Sequence, residues 1–202
     1  MTRKRIFYIV FFSILVVGFF VVLTILIPGF AKPSLPPISY VQPFSFINQN
    51  GNEVTEKQIA GKVVAAQFFF TTCKGICPRM NNNMRTIYDE FKDEPGFLIL
   101  SHTSDPETDS AGRLKRYADS MQVNTGKWMF LTGRKDSLYD MARHSYKIDD
   151  PANNLQSIKD DFLHSQFIAL VNKKGDVVKI YDGLKKSEMK EMAGEIKKLL
   201  KE

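Results

Sequence analysis

The sequence predicts an α/β domain in which helices flank a central mixed sheet, preceded by one transmembrane helix. Three observations support this fold class. An uncharged apolar run covers residues 6–27, apolar segments of strand length recur along the rest of the chain, and helical patterns separate them. Buried strands that alternate with helices are typical of parallel strands joined by crossover helices.

The apolar run at residues 6–27 has 22 residues without a charge or a proline. At about 1.5 Å per residue it forms roughly 33 Å of helix, enough to cross a bilayer core. A cleaved signal peptide is the alternative, with a shorter apolar region of about 7–15 residues and a small-residue cleavage site. No clear cleavage pattern and no lipid-accepting cysteine directly follow the run. We therefore expect an uncleaved anchor.

The basic residues Arg3, Lys4 and Arg5 predict the orientation, because positive flanks stay cytoplasmic. Residues 1–5 then form a cytoplasmic flank, and the chain beyond the anchor lies on the outer (periplasmic or extracytoplasmic) side. Residues 28–43 are rich in proline and predict an extended spacer. Residues 44–202 form the folded domain. Its basic residues show no interleaving with aromatic ones, so no nucleic-acid partner is expected.

The domain can be divided into elements from its apolar periodicity. An Asn-Gly turn predicts an N-terminal β-hairpin, and a Lys-Gly turn predicts a closing hairpin. In chain order the predicted elements are a hairpin at 44–55, strand 62–70, helix 77–92, strand 96–104, helix 105–122, strand 127–133, helix 134–148, a hairpin at 166–183 and helix 187–201. This order predicts a thioredoxin-like fold with an extra N-terminal hairpin.

Cys73 and Cys77 are the only cysteines, and they lie where the first central strand ends and its helix begins. Ligands of open α/β sheets bind at such strand ends. A helix N-terminus favours thiolates and lowers a cysteine pKa. The i, i+4 spacing places both sulfurs on one side of a helical turn. A structural disulfide would close too small a loop to stabilise much. A redox pair and half of a metal site both remain open.

A third ligand is sought among the three histidines. His164 precedes the strand at 166–171, in a loop that packs against the cysteine turn in thioredoxin-like folds. His144, on a helix, is expected to be structural. Two thiolates and an imidazole form a soft set that favours Cu(I) and also accepts Cu(II) or Zn(II). A structural zinc site would require four closed ligands.

The segments FFFTTCKGICP, SDPETD, KWMFLTG and LHSQFIALVNKKGDVV resemble the Sco/SenC family of membrane-anchored copper proteins. The resemblance covers residues 44–200. It implies that Cys73, Cys77 and His164 bind copper. It also implies delivery of copper to, or reduction of the thiols of, the dinuclear copper site of cytochrome c oxidase.

The resemblance also bears on two acidic residues and one histidine. Asp105 and Asp109 match an acidic motif that lies behind the copper ligands or faces a partner, and helix capping is their alternative role. His102 stands where the family more often has an apolar residue, and we expect no role for it.

A copper chaperone that holds Cu(I) or Cu(II) is therefore the first hypothesis. The second is a thiol-disulfide oxidoreductase in which Cys73 attacks and Cys77 resolves. A peroxidase ranks lower, because its resolving cysteine should be distant. Expected partners are the copper-site subunit of cytochrome c oxidase, another copper chaperone, and a thioredoxin-like reductant, since thiols outside the cytoplasm tend to oxidise.

Overall fold

The computed structural model describes residues 2–26, 36–150 and 162–202. The chain divides into two compact units, Met1–Pro36 and Pro37–Glu202. The first contains α1 (Arg3–Leu26), none of whose residues is buried. Among the described residues, α1 is the one helix long and apolar enough to cross a membrane, with a mean hydropathy of 3.1. The predicted end of the span at Ile27 and the spacer residues 28–35 lie outside the described residues.

The second unit is built on one sheet of eight strands in the described part of the chain. The strands are β1 (Ser39–Tyr40), β2 (Ser45–Asn48), β3 (Glu53–Thr55), β4 (Val63–Phe69), β5 (Phe97–Thr103), β6 (Trp128–Thr132), β7 (Phe167–Val171) and β8 (Asp176–Asp182). Their order is β1-β8-β7-β4-β5-β6-β2-β3. β4, β5 and β6 run parallel to one another. β7 pairs antiparallel with β4, and β8 pairs antiparallel with β7. The predicted mixed sheet is confirmed.

The four predicted helices form, but the one predicted at 105–122 begins at Ala111, and a short helix at Glu56–Ile59 has no counterpart in the prediction. The helices in the described part of this unit are α2 (Glu56–Ile59), α3 (Ile76–Phe91), α4 (Ala111–Met121), α5 (Lys135–Asp140), which continues as a π-helical segment (Met141–Ser145), and α6 (Lys186–Lys201). α3 buries the apolar residues whose 3- and 4-residue spacing predicted it, Met80, Met84, Ile87 and Phe91. This packing fixes the position of the N-terminal end of α3, which carries Cys77.

The N-terminal hairpin forms as predicted between β2 and β3, and β2 also pairs with β6. The Asn48 side-chain oxygen accepts hydrogen bonds from the backbone N–H groups of Asn50 (2.9 Å) and Asn52 (3.0 Å). Gly51 has φ +81°, which a glycine tolerates without strain. One boundary differs from the prediction. The folded unit begins before Phe44, because Ser39 in the predicted spacer pairs with Val177 of β8.

Strand alternation divides the core into two clusters, one on each side of the sheet. All seven residues of β4 are buried. Val63, Ala65 and Phe69 pack with α3, α4 and α6 on what we call the cysteine side. Val64, Ala66 and Phe68 pack with the π-helical segment on the opposite side. Successive side chains of a strand point to opposite faces, so this parity decides which residues can reach the cysteines.

Candidate metal centre

Residues 70–77 lead from the end of β4 into the first residues of α3, and we call them the cysteine turn. Cys73 is half-buried and Cys77 is buried, and both are free thiols. The Cys73 side chain lies close enough to the Cys77 side chain to affect its protonation. The Cys73 backbone N–H donates to the Phe70 carbonyl at 3.2 Å. The turn therefore brings both sulfurs together at the carboxyl end of a central strand.

Burial raises the pKa of the Cys77 thiol to about 12, and the adjacent Cys73 sulfur contributes to this rise. For Cys77, the expectation that the helix N-terminus lowers its pKa is therefore wrong. Desolvation disfavours the thiolate more than the field of the helix end favours it. A metal ion that binds here must displace the proton, so metal binding and thiol deprotonation are coupled.

Asp109 anchors the cysteine turn from the loop before α4. Its carboxylate is fully buried and accepts hydrogen bonds from the Thr71 N–H (3.0 Å), the Thr71 hydroxyl and the Thr103 hydroxyl (2.7 Å). Arg113 lies 3.5 Å from this carboxylate, and its Nε donates to Thr71 Oγ1 at 2.7 Å. Thr71 is two residues before Cys73, so this network fixes the path of the chain into the site.

Helix capping, the alternative role for Asp105 and Asp109, does not match the hydrogen bonds that their side chains make. The N-cap of α4 is Ser110. The Asp109 side chain faces the cysteine turn instead. Asp105 is half-buried, and its Oδ1 accepts from the Thr108 N–H at 3.3 Å, within the same loop. Asp105 therefore shapes the loop that presents Asp109.

A chain of buried polar side chains lies beneath the cysteine turn. Gln67 Nε2 donates to Asn81 Oδ1 (2.7 Å) and to Ser101 Oγ (2.9 Å), and Asn81 Nδ2 donates to the Tyr117 hydroxyl (2.7 Å). Burial raises the Tyr117 pKa, and nearby Cys77, Cys73 and Asp109 add to the rise. Sequence reasoning missed this chain because its members are far apart. The glutamine within the otherwise apolar β4 was the signal for it.

His164 lies in the segment before β7 and is exposed. Its ring centroid is 5.2 Å from that of Phe70, a residue of the cysteine turn, and 5.1 Å from that of Phe162. Within the described ranges, no three His, Cys, Asp or Glu side chains lie together closely enough to hold a metal ion. The structure thus brings the two cysteines together and places His164 against their turn without completing the set.

The residues on either side of His164 are held by the opposite side of the domain. The Leu163 N–H donates to the Tyr139 hydroxyl at 3.1 Å, and the Ser165 hydroxyl donates to the Ile148 carbonyl at 2.7 Å. A cleft of about 880 Å³ opens here, and His164 and Ile76 are among its lining residues. The cleft leaves room for the His164 side chain to reorient.

The other two histidines are not part of this site. His102 is fully buried on the opposite side of the sheet, where its ring stacks on Phe68 at 5.1 Å and its Nε2 lies 3.1 Å from the Tyr146 hydroxyl. Burial lowers the His102 pKa to about 3. His144 is exposed on the π-helical segment. Strand alternation separates His102 from the cysteines, because it shares the face of Leu98 and Leu100.

Comparison with known proteins places this site in a family. The SCO1/SenC family model matches residues 33–201. The chain is 32% identical over 166 residues to the SCO1 protein homolog of Bacillus subtilis, covering 80% of this chain and 83% of that protein.

Solved structures agree. BsSco, described as having a disulfide switch and as a member of the Sco family of cytochrome c oxidase assembly proteins, superposes with a TM-score of 0.69 at 29% identity, over 84% of this chain and 98% of that one. Copper-bound ScoI of Arabidopsis thaliana gives a TM-score of 0.63 at 25% identity, over 81% and 100%. The chain therefore belongs to the SCO1/SenC family.

Proposed function

We propose that this protein binds copper through Cys73, Cys77 and His164 and delivers it to the dinuclear copper site of cytochrome c oxidase. The observation that carries the proposal is the pair of free, neighbouring thiols at a strand end, with His164 packed against the same turn. Family membership supports it, as does the copper-bound Arabidopsis relative.

Each residue has a distinct task in the proposed chemistry. The two cysteines lose their protons and supply soft sulfur ligands, which suit Cu(I) and also accept Cu(II). Asp109 and Thr71 hold the turn so that the sulfurs need not reorganise. His164 turns from its aromatic contacts to complete the set. Three protein ligands leave the ion open to attack by thiols of an acceptor, so release by ligand exchange is accessible.

The proposed location follows from the N-terminal sequence. Residues 6–27 anchor the protein in a membrane, residues 1–5 stay in the cytoplasm, and the domain lies on the outer side. The part of the predicted spacer that precedes the Ser39–Tyr40 strand gives the domain its reach. Thiols on that side of a membrane tend to oxidise. The proposal therefore includes a thioredoxin-like reductant, besides the copper-site subunit of the oxidase as acceptor and another copper chaperone as a source.

A second candidate function is a thiol-disulfide oxidoreductase that reduces the acceptor's cysteines. The unequal exposure of the two thiols favours it. Cys73 is half-buried and reachable, whereas Cys77 is buried with a raised pKa. A reachable thiol attacks a disulfide, and a buried neighbour resolves the mixed disulfide. The BsSco disulfide switch is a related observation on a relative.

The variant His164→Ala separates the two functions, because thiol exchange does not require an imidazole. In the full chain in non-ionic detergent, we expect copper affinity to fall at least about 100-fold, since even loss of residues that only orient a metal ligand costs roughly 10- to 100-fold. The rate of disulfide exchange should stay within about twofold. His144→Ala, also an exposed histidine, is the matched control. Unchanged copper affinity in His164→Ala would rule out the three-ligand site.

A further inference from the structure

Four basic residues lie within the cysteine turn, just after it, or in the cleft beside it, and we call them the basic rim. They are Lys74, Arg79, Arg113 and Arg116. Lys74 directly follows Cys73, and Arg79 lies two residues after Cys77. Lys74, Arg79 and Arg116 are exposed, and the Arg113 side chain is 39% exposed. None of these four side chains is a copper ligand in the proposed function.

Two of these guanidinium groups line an open cleft of about 340 Å³ beside the turn, together with Thr71 and Tyr117. Arg113 donates to Thr71 at 2.7 Å. Tyr117 and Cys73 pack against the same buried cluster, and Thr71 is two residues before Cys73. The cleft therefore adjoins the turn that carries Cys73, so a group bound in the cleft would lie beside that turn.

The placement of the two arginines is unfavourable for α4 itself. Cations near a helix N-terminus oppose the helix dipole, and the first turn of α4 contains no acidic residue. Arg113 and Arg116 are three residues apart, so they repel each other on one face. A Cβ atom built on Gly112 would lie 4.0 Å from Arg116 Nη1, which shows that this guanidinium folds back toward the first turn. Departures from local stability rules concentrate at functional sites.

Nearby carboxylates do not neutralise the rim. Asp109 is buried and compensates part of the charge of Arg113. Among the described residues, Asp105 and Glu107 make no ion pair with Lys74, Arg79 or Arg116. Lys115, on the same helix, differs from Arg116 because it forms an ion pair with Asp119. In the part of the chain that the structure describes, Lys74, Arg79 and Arg116 therefore keep their positive charge without an ion-pair partner, whereas Asp149 and Asp150 lie on the other side of the turn, in the cleft that contains His164.

We propose that the basic rim docks acidic side chains that flank the thiols of a partner protein. The proposal rests on the transfer of copper or electrons between Cys73, Cys77 and such thiols. Guanidinium groups form charge-assisted, often bidentate, hydrogen bonds to carboxylates. Complementary charge raises association rates and selects the partner that approaches the site.

The test uses three synthetic peptides, each with one cysteine activated as a pyridyl disulfide and flanked by Glu, Gln or Lys. The Cys73 thiolate attacks the peptide sulfur, a protein–peptide disulfide forms, and 2-thiopyridone leaves with the electron pair of the broken S–S bond. Released thiopyridone is followed by absorbance. An activated disulfide reacts with any exposed thiol, so failure of copper binding would leave this readout intact.

For the full chain in non-ionic detergent at low salt, we expect the Glu peptide to react about tenfold faster than the Gln peptide, and the Lys peptide to react slowest. Screening should reduce the Glu preference to about twofold at 0.5 M salt. Arg79→Gln/Arg116→Gln should abolish the preference, with Arg113 left intact because it supports Thr71. Lys115→Gln/Lys190→Gln changes the net charge equally and should keep it. Equal rates for the three peptides, or a Glu preference that survives in Arg79→Gln/Arg116→Gln, would overturn the proposal.

Discussion

The cysteine turn and the segment around His164 are held in different ways. In the turn, the buried carboxylate of Asp109 binds both the N–H and the hydroxyl of Thr71, and Cys77 is packed in the core. Around His164, hydrogen bonds hold the neighbouring residues, while the imidazole is exposed and lies against the rings of Phe70 and Phe162.

This difference separates what the fold builds in advance from what an ion must complete. Two buried or half-buried thiols in a fixed turn cost little further ordering when a metal binds. An exposed imidazole can move toward the ion and away again. Under the proposed function, a site in which one ligand can reorient suits a protein that releases its copper.

The largest effect should come from the fixed half. Cys77→Ser replaces a soft thiolate by a hydroxyl, which is a poor ligand for copper. We expect copper affinity to fall more than about 1,000-fold, or roughly 4 kcal/mol. A competition titration against a chromophoric copper chelator measures it. Thr72→Ala, an exposed change in the same turn, should leave the affinity unchanged. A Cys77→Ser protein that binds copper as wild type does would remove Cys77 from the site.

Asp109→Asn tests whether the turn is preorganised by its buried anchor. The substitution keeps the shape of the side chain but removes the negative charge of the carboxylate, which accepts hydrogen bonds from Thr71 and Thr103. We expect the free energy of unfolding to fall by about 1–3 kcal/mol and copper affinity to fall about tenfold. Urea unfolding and copper titration measure the two effects. Asp105→Asn, in the same loop, should cost less than about 0.5 kcal/mol. Equal effects of the two substitutions would contradict the anchoring role of Asp109.

A prediction for His102 concerns the face of the sheet opposite the cysteine side. Its pKa is about 3 when folded, against 6.5 ordinarily, so below pH 6.5 the unfolded chain binds a proton that the folded chain does not. Stability contributed by the neutral ring is thus lost as pH falls from 6.5 toward 3, by about 2 kcal/mol at pH 5. Urea unfolding at pH 7 and pH 5 measures the difference in the free energy of unfolding. This difference should be smaller in His102→Phe than in wild type and unchanged in His144→Ala. Identical losses in wild type and His102→Phe would refute the assignment.

The smallest effect should come from the aromatic contacts of the mobile half. Phe162→Ala removes the ring 5.1 Å from His164, and aromatic pairs contribute about 0.5–1.5 kcal/mol. We expect copper affinity to fall about two- to tenfold. Phe167→Ala is a matched control, since Phe167 is 42% exposed against 44% for Phe162. Equal losses in both variants would show that the contact with His164 is not what positions it.

Most of the fold could be predicted from the sequence, because its signals are local. Continuous apolar runs marked β4 and β5, and the Asn-Gly turn marked the hairpin of β2 and β3. The start of the domain was misplaced because a proline-rich stretch is typical of a spacer, whereas Ser39–Tyr40 adds an edge strand through backbone pairing that composition does not reveal.

The site could be predicted only in part. The two cysteines are four residues apart, so their proximity follows from local geometry. The contact between Thr71 and Asp109 joins residues 38 positions apart, and no pattern in one sequence indicates it. Burial of Cys77 is also a tertiary property, so the direction of its pKa shift was missed. The gap between His164 and the thiols reflects a site that we expect an ion to complete.

X-ray absorption at the copper edge tests the central claim most directly. For the full chain loaded with Cu(I), the account predicts two sulfur ligands and one nitrogen ligand per copper. In His164→Ala the nitrogen should disappear while both sulfurs remain. A wild-type spectrum with sulfur ligands alone, unchanged in His164→Ala, would contradict the convergence of Cys73, Cys77 and His164 on one ion.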